Sequence, residues 1–141
     1  MDFEQANEIV RAVRRLAMTH RGRAAELLRV HGLQPGQEVV LLELAQIGQA
    51  NQAELARAVE VDEPSICRSL ARLERQGLVE RVVDKQDARR RVVELSPDGR
   101  VLIPKLKRLY MKLATETTGP VDGPFQKRAL KTVSDITSRF D

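Results

Sequence analysis

Apolar side chains recur at three- and four-residue steps through most of the chain, a spacing typical of one buried face on an α-helix. The first such stripe begins with Phe3, Val10 and Val13. It predicts one long helix over residues 3–30. A second segment, residues 36–48, is apolar on most sides. This second segment is therefore predicted to be a buried helix at the centre of the fold.

Two further helices are predicted by the residues that precede them. Asn51 is a good N-cap, and Glu54 three residues later completes a capping box. This pair predicts a third helix over residues 52–59. Asp62 provides the next N-cap and predicts a fourth helix over residues 63–76.

The pattern then changes to the two-residue period of a β-strand. Two short β-branched runs occupy residues 78–83 and 91–95, and the polar segment 84–90 separates them. Such a pair of runs predicts an antiparallel hairpin with a long basic tip.

Two helices complete the predicted order of elements. Ser96 is an N-cap that stands directly before Pro97, so a fifth helix begins there. Its leucines step by four, three and four residues: Leu102, Leu106, Leu109 and Leu113. Pro104 predicts either a kink or a delayed start of this helix. Thr118-Gly119-Pro120 ends it, and a last helix is predicted near 124–139.

Composition excludes several classes of protein. The chain has 141 residues, a length that favours one domain, and only one cysteine, which excludes an internal disulfide. With His20 and His31 as the two histidines, no metal site, catalytic constellation or cofactor is predicted. No apolar run approaches the ~20 residues of a bilayer span. The acidic N-terminus also lacks a signal sequence, so we expect a cytoplasmic protein without membrane contact.

The basic residues are concentrated in one part of the chain. Residues 64–91 contain eight basic and four acidic residues, so this segment carries the whole net charge of +4. A basic stripe on an otherwise neutral body is typical of a protein that binds a polyanion. The alternative is an ordinary solvated face.

Helix, short turn, helix and hairpin together predict a winged helix-turn-helix, in which the second helix enters the major groove of DNA. On the fourth helix, Ile66, Leu70 and Leu73 share one narrow arc that faces the core. The opposite arc holds small, hydroxyl-bearing and basic residues: Pro64, Ser65, Arg68, Ala71, Arg72 and Arg75. These residue types suit close approach to a groove and contact with guanine edges or phosphates.

Several stretches resemble the multiple-antibiotic-resistance regulator (MarR) family. They are Gln52–Ala56, Ser65–Arg68, Leu73–Arg81 and the segment from Asp87 to Gly99. The last of these matches the specific wing signature Asp-x-Arg followed by V-x-L-[ST]-x-x-G. The resemblance covers nearly the whole chain.

The resemblance implies a homodimeric transcription regulator that binds a double-stranded, pseudo-palindromic DNA operator and is released by a small anionic or phenolic effector. It implies a mainly α fold with a small β-hairpin wing. Residues 35–96 would form the winged helix-turn-helix domain, and residues 1–34 and 97–141 would form a helical dimerisation region.

The resemblance also assigns roles to individual residues. Arg89 resembles the wing arginine that enters the minor groove, and Asp87 resembles the carboxylate that orients it. The alternative for Asp87 is an ordinary turn-forming residue. Arg90 and Arg91 either contact phosphates or solvate the hairpin. The residues predicted for an anionic effector, with solvent exposure as the alternative, are Arg14, Arg15, His20 and Arg21.

Two questions remain open from the sequence. Cys67 stands on the flank of the fourth helix, where the family usually has Thr or Ser, and is either an inert small side chain or a redox sensor. A winged helix can also serve as a protein-interaction adaptor without DNA. Salt-dependent binding to duplex DNA distinguishes the adaptor from the regulator.

Overall fold

The computed structural model describes residues 1–119 and 123–141 and contains six helices and three strands in that part of the chain. The elements are α1 (Phe3–Arg29), α2 (Gln37–Ile47), β1 (Gln49–Ala50), α3 (Gln52–Ala58), α4 (Glu63–Arg75), β2 (Val79–Val83), β3 (Arg91–Leu95), α5 (Pro97–Thr118) and α6 (Gly123–Thr137). The predicted fold class, mainly helical with a small β-wing, is confirmed.

The short helices begin where their capping residues predict. Asn51 Oδ1 accepts from the backbone N–H of Glu54 at 2.8 Å, and Glu54 Oε2 accepts from the backbone N–H of Asn51 at 3.2 Å. Asp62 Oδ1 accepts from the backbone N–H of Ser65 at 2.7 Å. Each bond satisfies an N–H that lacks a partner within the helix, which fixes the start of α3 and of α4.

The wing contains one strand more than the predicted hairpin. β2 and β3 pair antiparallel, and β1 pairs antiparallel with the other edge of β3, which gives the order β1-β3-β2. Gln49 lies opposite Glu94, and Ala50 lies opposite Val93. The predicted hairpin is therefore confirmed, and β1 is an additional strand that the sequence did not predict, because two residues are too few to show a strand period.

α5 begins at Pro97 and continues through Pro104 to Thr118, so the alternative of a delayed start is wrong. The start is fixed by Ser96, whose Oγ accepts from the backbone N–H of Gly99 at 3.0 Å. Pro120, which was predicted to end this helix, lies outside the described residues.

The chain forms two compact units, residues 1–107 and 108–141, and the boundary falls within α5. In the first unit the fully buried side chains come from every helix: Leu28, Val40, Leu41, Leu44, Leu55, Ile66, Leu70, Leu73, Val93 and Leu106. In the second unit Leu109 and Leu113 of α5 are buried, whereas α6 has no buried residue. Among the described residues, no helix has the length and apolar character to cross a bilayer.

Candidate nucleic-acid interface

α4 has one buried and one exposed face, as predicted. Ile66, Leu70 and Leu73 are at most 1% exposed and anchor the helix in the core of the first unit. The residues on the predicted outer face are exposed or half-buried: Pro64, Ser65, Arg68, Ala71, Arg72 and Arg75. Cys67 on the flank is exposed as well. The polar face of α4 is thus presented by a helix whose opposite side cannot move without disturbing the core.

The N-terminus of α4 is stabilised by a charged cap. The pKa of Asp62 is lowered from its usual value of 3.8, first because the backbone N–H of Ser65 donates to its carboxylate. The Ser65 hydroxyl and the charge of Arg68 act in the same direction. A carboxylate at this end also interacts favourably with the helix dipole.

The C-terminus of α4 is tied to the turn between α1 and α2. Gln76 Nε2 donates to the carbonyl oxygen of Gly32 at 2.6 Å, and Gln76 Oε1 accepts from Gln37 Nε2 at 3.0 Å. Sequence analysis missed this contact, because its partners lie about forty residues apart and no local pattern pairs them. Both ends of α4 are therefore held by hydrogen bonds.

Two arginines of α4 make hydrogen bonds with uncharged side chains. Arg68 Nη2 lies 3.2 Å from the hydroxyl of Ser65, and Arg72 Nη1 donates to the side-chain oxygen of Gln34. Within the described part of the chain, no ion pair involves Arg68, Arg72 or Arg75. Their positive charge is thus available to an external anion.

A cavity of about 330 Å³ lies beside α4 and contains one of the predicted effector residues. Arg21 of α1 lines it together with Arg68 and Arg72. Arg14 and Arg15 instead line a separate groove along α1 that also contains Glu4 and Glu8. His20 is exposed and lines neither cavity. The structure thus brings Arg21, but not the other three predicted effector residues, to the arginines of α4.

The tip of the wing is a turn held by a hydrogen bond between backbone groups and by a hydrogen bond to the Asp87 side chain. The backbone N–H of Asp84 donates to the carbonyl of Arg90 at 2.8 Å. Asp87 Oδ1 accepts from the backbone N–H of Arg89 at 3.0 Å, and no ion pair joins the Asp87 carboxylate to the Arg89 guanidinium. Asp87 therefore shapes the turn that carries Arg89, instead of pairing with its side chain.

The three wing arginines differ in their surroundings. Arg89 and Arg91 are exposed. The Arg90 guanidinium donates to Glu54 of α3, and its Nη1 lies 3.6 Å from Asp84 Oδ2. Sequence analysis grouped Arg90 with Arg91 and gave no role to Glu54 beyond its cap, since nothing local predicts a pair between residues 36 positions apart.

The sequence left two interpretations of Cys67 open, an inert small side chain and a redox sensor, and it predicted no metal site. Cys67 is a free, exposed thiol on α4. Among the described residues, no three His, Cys, Asp or Glu side chains are grouped so that they could hold a metal ion.

Comparison with known proteins finds one family model and several solved structures that are similar to this chain. A model of the MarR family matches residues 31–90, from the end of α1 through the wing tip. A structure of a mutant of MarR from E. coli, complexed with operator DNA, superposes with a TM-score of 0.80 at 21% identity, covering 96% of this chain and 99% of that one.

Two further solved structures resemble this chain. BpsR from Bordetella bronchiseptica, solved in a study of how 6-hydroxynicotinic acid regulates its DNA binding, has a TM-score of 0.79 at 21% identity, with 92% of each chain covered. A probable transcriptional regulator from Pseudomonas aeruginosa has a TM-score of 0.72 at 26% identity and covers 85% of this chain and 92% of that one. The likeness thus extends over both units of the chain.

Proposed function

We propose that this chain, whose residues 31–90 match a model of the MarR family, is a homodimeric, sequence-specific DNA-binding transcription regulator. The observation that carries this proposal is the outer face of α4. There Arg68, Arg72 and Arg75 form no ion pair with any described residue, and the helix that carries them is fixed at both ends. A guanidinium in that state is suited to the guanine edges of the major groove or to phosphates.

The wing supplies a second contact with DNA. Arg89 lies at the tip of the hairpin and is exposed, and a narrow minor groove attracts arginine because its negative potential is concentrated. Arg91 and Lys85 are exposed on the same hairpin, and we assign phosphate contacts to them as part of the proposal. α4 in the major groove and Arg89 in the adjoining minor groove together give one half-site.

Random-sequence duplex selection followed by fluorescence anisotropy tests this function. The selected sites should be inverted repeats with half-sites about one helical turn apart. Affinity for them should fall steeply as the salt concentration rises, since phosphate contacts release counterions. Selected sequences without two-fold symmetry would contradict the dimeric regulator. A protein that binds no duplex at any salt concentration would favour the protein-interaction adaptor.

A second copy of the chain is the proposed partner of the helical region formed by residues 1–34 and 97–141. Large apolar side chains are exposed on α1, among them Phe3, Val10 and Val13, and α6 likewise exposes Leu130 and Val133. So many exposed apolar groups are unfavourable in water unless another surface covers them. Sedimentation at low micromolar concentration should give twice the 15.9 kDa monomer mass, and a stable monomer would overturn this assignment.

The proposed regulation is repression relieved by a small anion. The cavity beside α4 supports it, because Arg21, Arg68 and Arg72 surround a space of about 330 Å³, which suits a small carboxylate. An anion held there would occupy two arginines of the DNA-binding face. The DNA binding of BpsR is regulated by an aromatic acid of this kind.

The regulatory proposal is tested with 6-hydroxynicotinic acid and its uncharged amide as probes. The acid should release the chain from its selected operator, and the amide should not, because three guanidiniums favour a carboxylate. Arg21→Gln should weaken this release while leaving DNA affinity in the absence of acid nearly unchanged. Equal release by acid and amide would contradict an anion site. A reporter placed behind the operator should be silent until the acid is added.

The proposed function includes no catalysis, metal or cofactor. A cytoplasmic location is part of the proposal, since the operator is there.

A further inference from the structure

The guanidinium of Arg90 lies between carboxylates from two different elements. It donates from Nη2 to Glu54 Oε1 on α3, and its Nη1 is 3.6 Å from Asp84 Oδ2 at the end of β2. One side chain therefore connects the first helix of the helix-turn-helix with the hairpin that forms the wing.

Both carboxylates are themselves held in place. Asp84 is only 9% exposed and accepts from Gln49 Nε2 at 3.2 Å and from the backbone N–H of Gln86 at 2.9 Å. Glu54 uses its other oxygen, Oε2, in the capping box of α3. Since each acid already has a fixed orientation, the arginine between them has little freedom, and charge-assisted hydrogen bonds of this kind are directional.

We propose that Arg90 and Glu54 form a positioning clamp for the wing, and that Arg90 is not a contact to DNA phosphate. This inference rests on the proposed function. Arg89 directly precedes Arg90 in the chain and lies in the turn that Asp87 shapes. Because the clamp fixes Arg90, it also fixes the position from which the Arg89 side chain projects. When α4 lies in the major groove, the clamp places Arg89 at the minor groove beside it.

Electrostatics and positioning predict opposite effects for the loss of the Glu54 charge. Glu54→Gln makes the protein more basic, and a purely electrostatic account therefore predicts equal or tighter binding to DNA. The clamp predicts weaker binding, because Arg90 loses its partner on α3. Glutamine keeps an oxygen for the N–H of Asn51, so the capping box and the start of α3 are retained.

The test measures operator affinity of Glu54→Gln at one fixed salt concentration. We expect about fivefold weaker binding, the effect of losing one half-exposed ion pair. The matched control is Glu26→Gln, which breaks an exposed pair with Arg23 on α1 and should leave affinity unchanged. In an Arg89→Ala background, Glu54→Gln should cause no further loss, because the clamp acts through Arg89. Additive losses, or tighter binding of Glu54→Gln, would overturn the clamp.

Hydrogen exchange without DNA separates failure of the clamp from failure of the proposed function. In Glu54→Gln the amides of residues 84–90 should exchange faster than in the wild type, with the α3 amides unchanged. Unchanged exchange in the wing overturns the clamp whatever the DNA result. If exchange is faster in Glu54→Gln but the wild type binds no duplex, the clamp exists and the proposed regulator function is wrong. The role of the clamp in DNA binding is then wrong as well.

Discussion

The hydroxyl of Ser96 donates to the carbonyl oxygen of Gly77 at 2.6 Å and accepts from the backbone N–H of Gly99 at 3.0 Å. Ser96 is thus the cap of α5 and a link to Gly77 in the turn after α4. Gly99 lies so close to this link that a Cβ there would be 2.1 Å from the carbonyl oxygen of Leu78. The close packing of the start of α5 on the backbone of Gly77 and Leu78 therefore explains both the serine and the glycine of the wing signature.

Gly99→Ala is expected to lower the free energy of unfolding by about 1–3 kcal/mol, because the added methyl overlaps backbone that cannot move freely. Gly22→Ala is the matched control, since nothing lies within 4 Å of a Cβ at that position in α1. There alanine should raise the free energy of unfolding by about 0.5–1 kcal/mol through its better helix propensity. Urea unfolding at one protein concentration measures both. A Gly99→Ala variant as stable as the wild type would contradict the close approach.

Elements defined by neighbouring residues were predictable from the sequence. Asn51 with Glu54, and Asp62 with Ser65, make contacts three residues apart, so the starts of α3 and α4 follow from local chemistry alone. β1 was not predictable, because its two residues gain strand character only by pairing with β3.

The candidate site likewise has a part that the sequence predicts and a part that it does not. The outward face of α4 follows from the 100° step between residues, and the exposure of Arg68 confirms that part of the prediction. The partners that fix the site are distant in sequence: Gln76 with Gly32, and Arg90 with Glu54. Such pairs depend on how the helices and strands pack together. The hydrophobic period and the N-cap residues, from which the elements were predicted, contain no information about this packing.

The lowered pKa of Asp62 predicts a pH dependence of stability. Because its pKa in the folded chain lies below 3.8, its usual value, the charged cap contributes stability above that value and loses it as the pH falls through the folded pKa. Asp62→Asn keeps an oxygen for the Ser65 N–H but has no charge to titrate. The advantage of the wild type over Asp62→Asn in urea unfolding should therefore disappear as the pH is lowered from about 5 to about 2. A difference that stays constant over this interval would show that the charge does not contribute.

Replacing Arg68 or Arg72 with Ala should reveal whether each contacts a base edge. If the arginine contacts a guanine edge, its loss should weaken operator binding by about 1–3 kcal/mol and should relax the preference at one base pair. Anisotropy with operators changed at single positions measures this preference. If affinity for operator and random duplex falls equally, the arginine contacts phosphate only. Arg11→Ala on α1 has the same change in charge and should leave the base preference unaltered.

The wing tip allows the contribution of geometry to be separated from that of charge. Arg89→Ala should weaken operator binding severely, because it removes the side chain that enters the minor groove. Asp87→Ala should also weaken binding, although the protein becomes more basic, because the Arg89 N–H loses its acceptor and the turn loosens. Asp87→Asn keeps an oxygen for that N–H and should retain nearly wild-type affinity.

An ion pair between Asp87 and the Arg89 guanidinium would give a different pattern, in which the Asn variant binds as weakly as the Ala variant. Since the structure shows the carboxylate on the backbone N–H instead, we expect Asn to rescue binding. The losses of operator affinity caused by Asp87→Ala and Arg89→Ala should be less than additive in the double variant. Once the Arg89 side chain is absent, the shape of the turn no longer positions a DNA contact. Titrations of the three single variants and the double variant at one salt concentration measure these effects. Tighter binding by Asp87→Ala would mean that net charge outweighs the geometry of the turn, and that the wing does not place Arg89 in the minor groove.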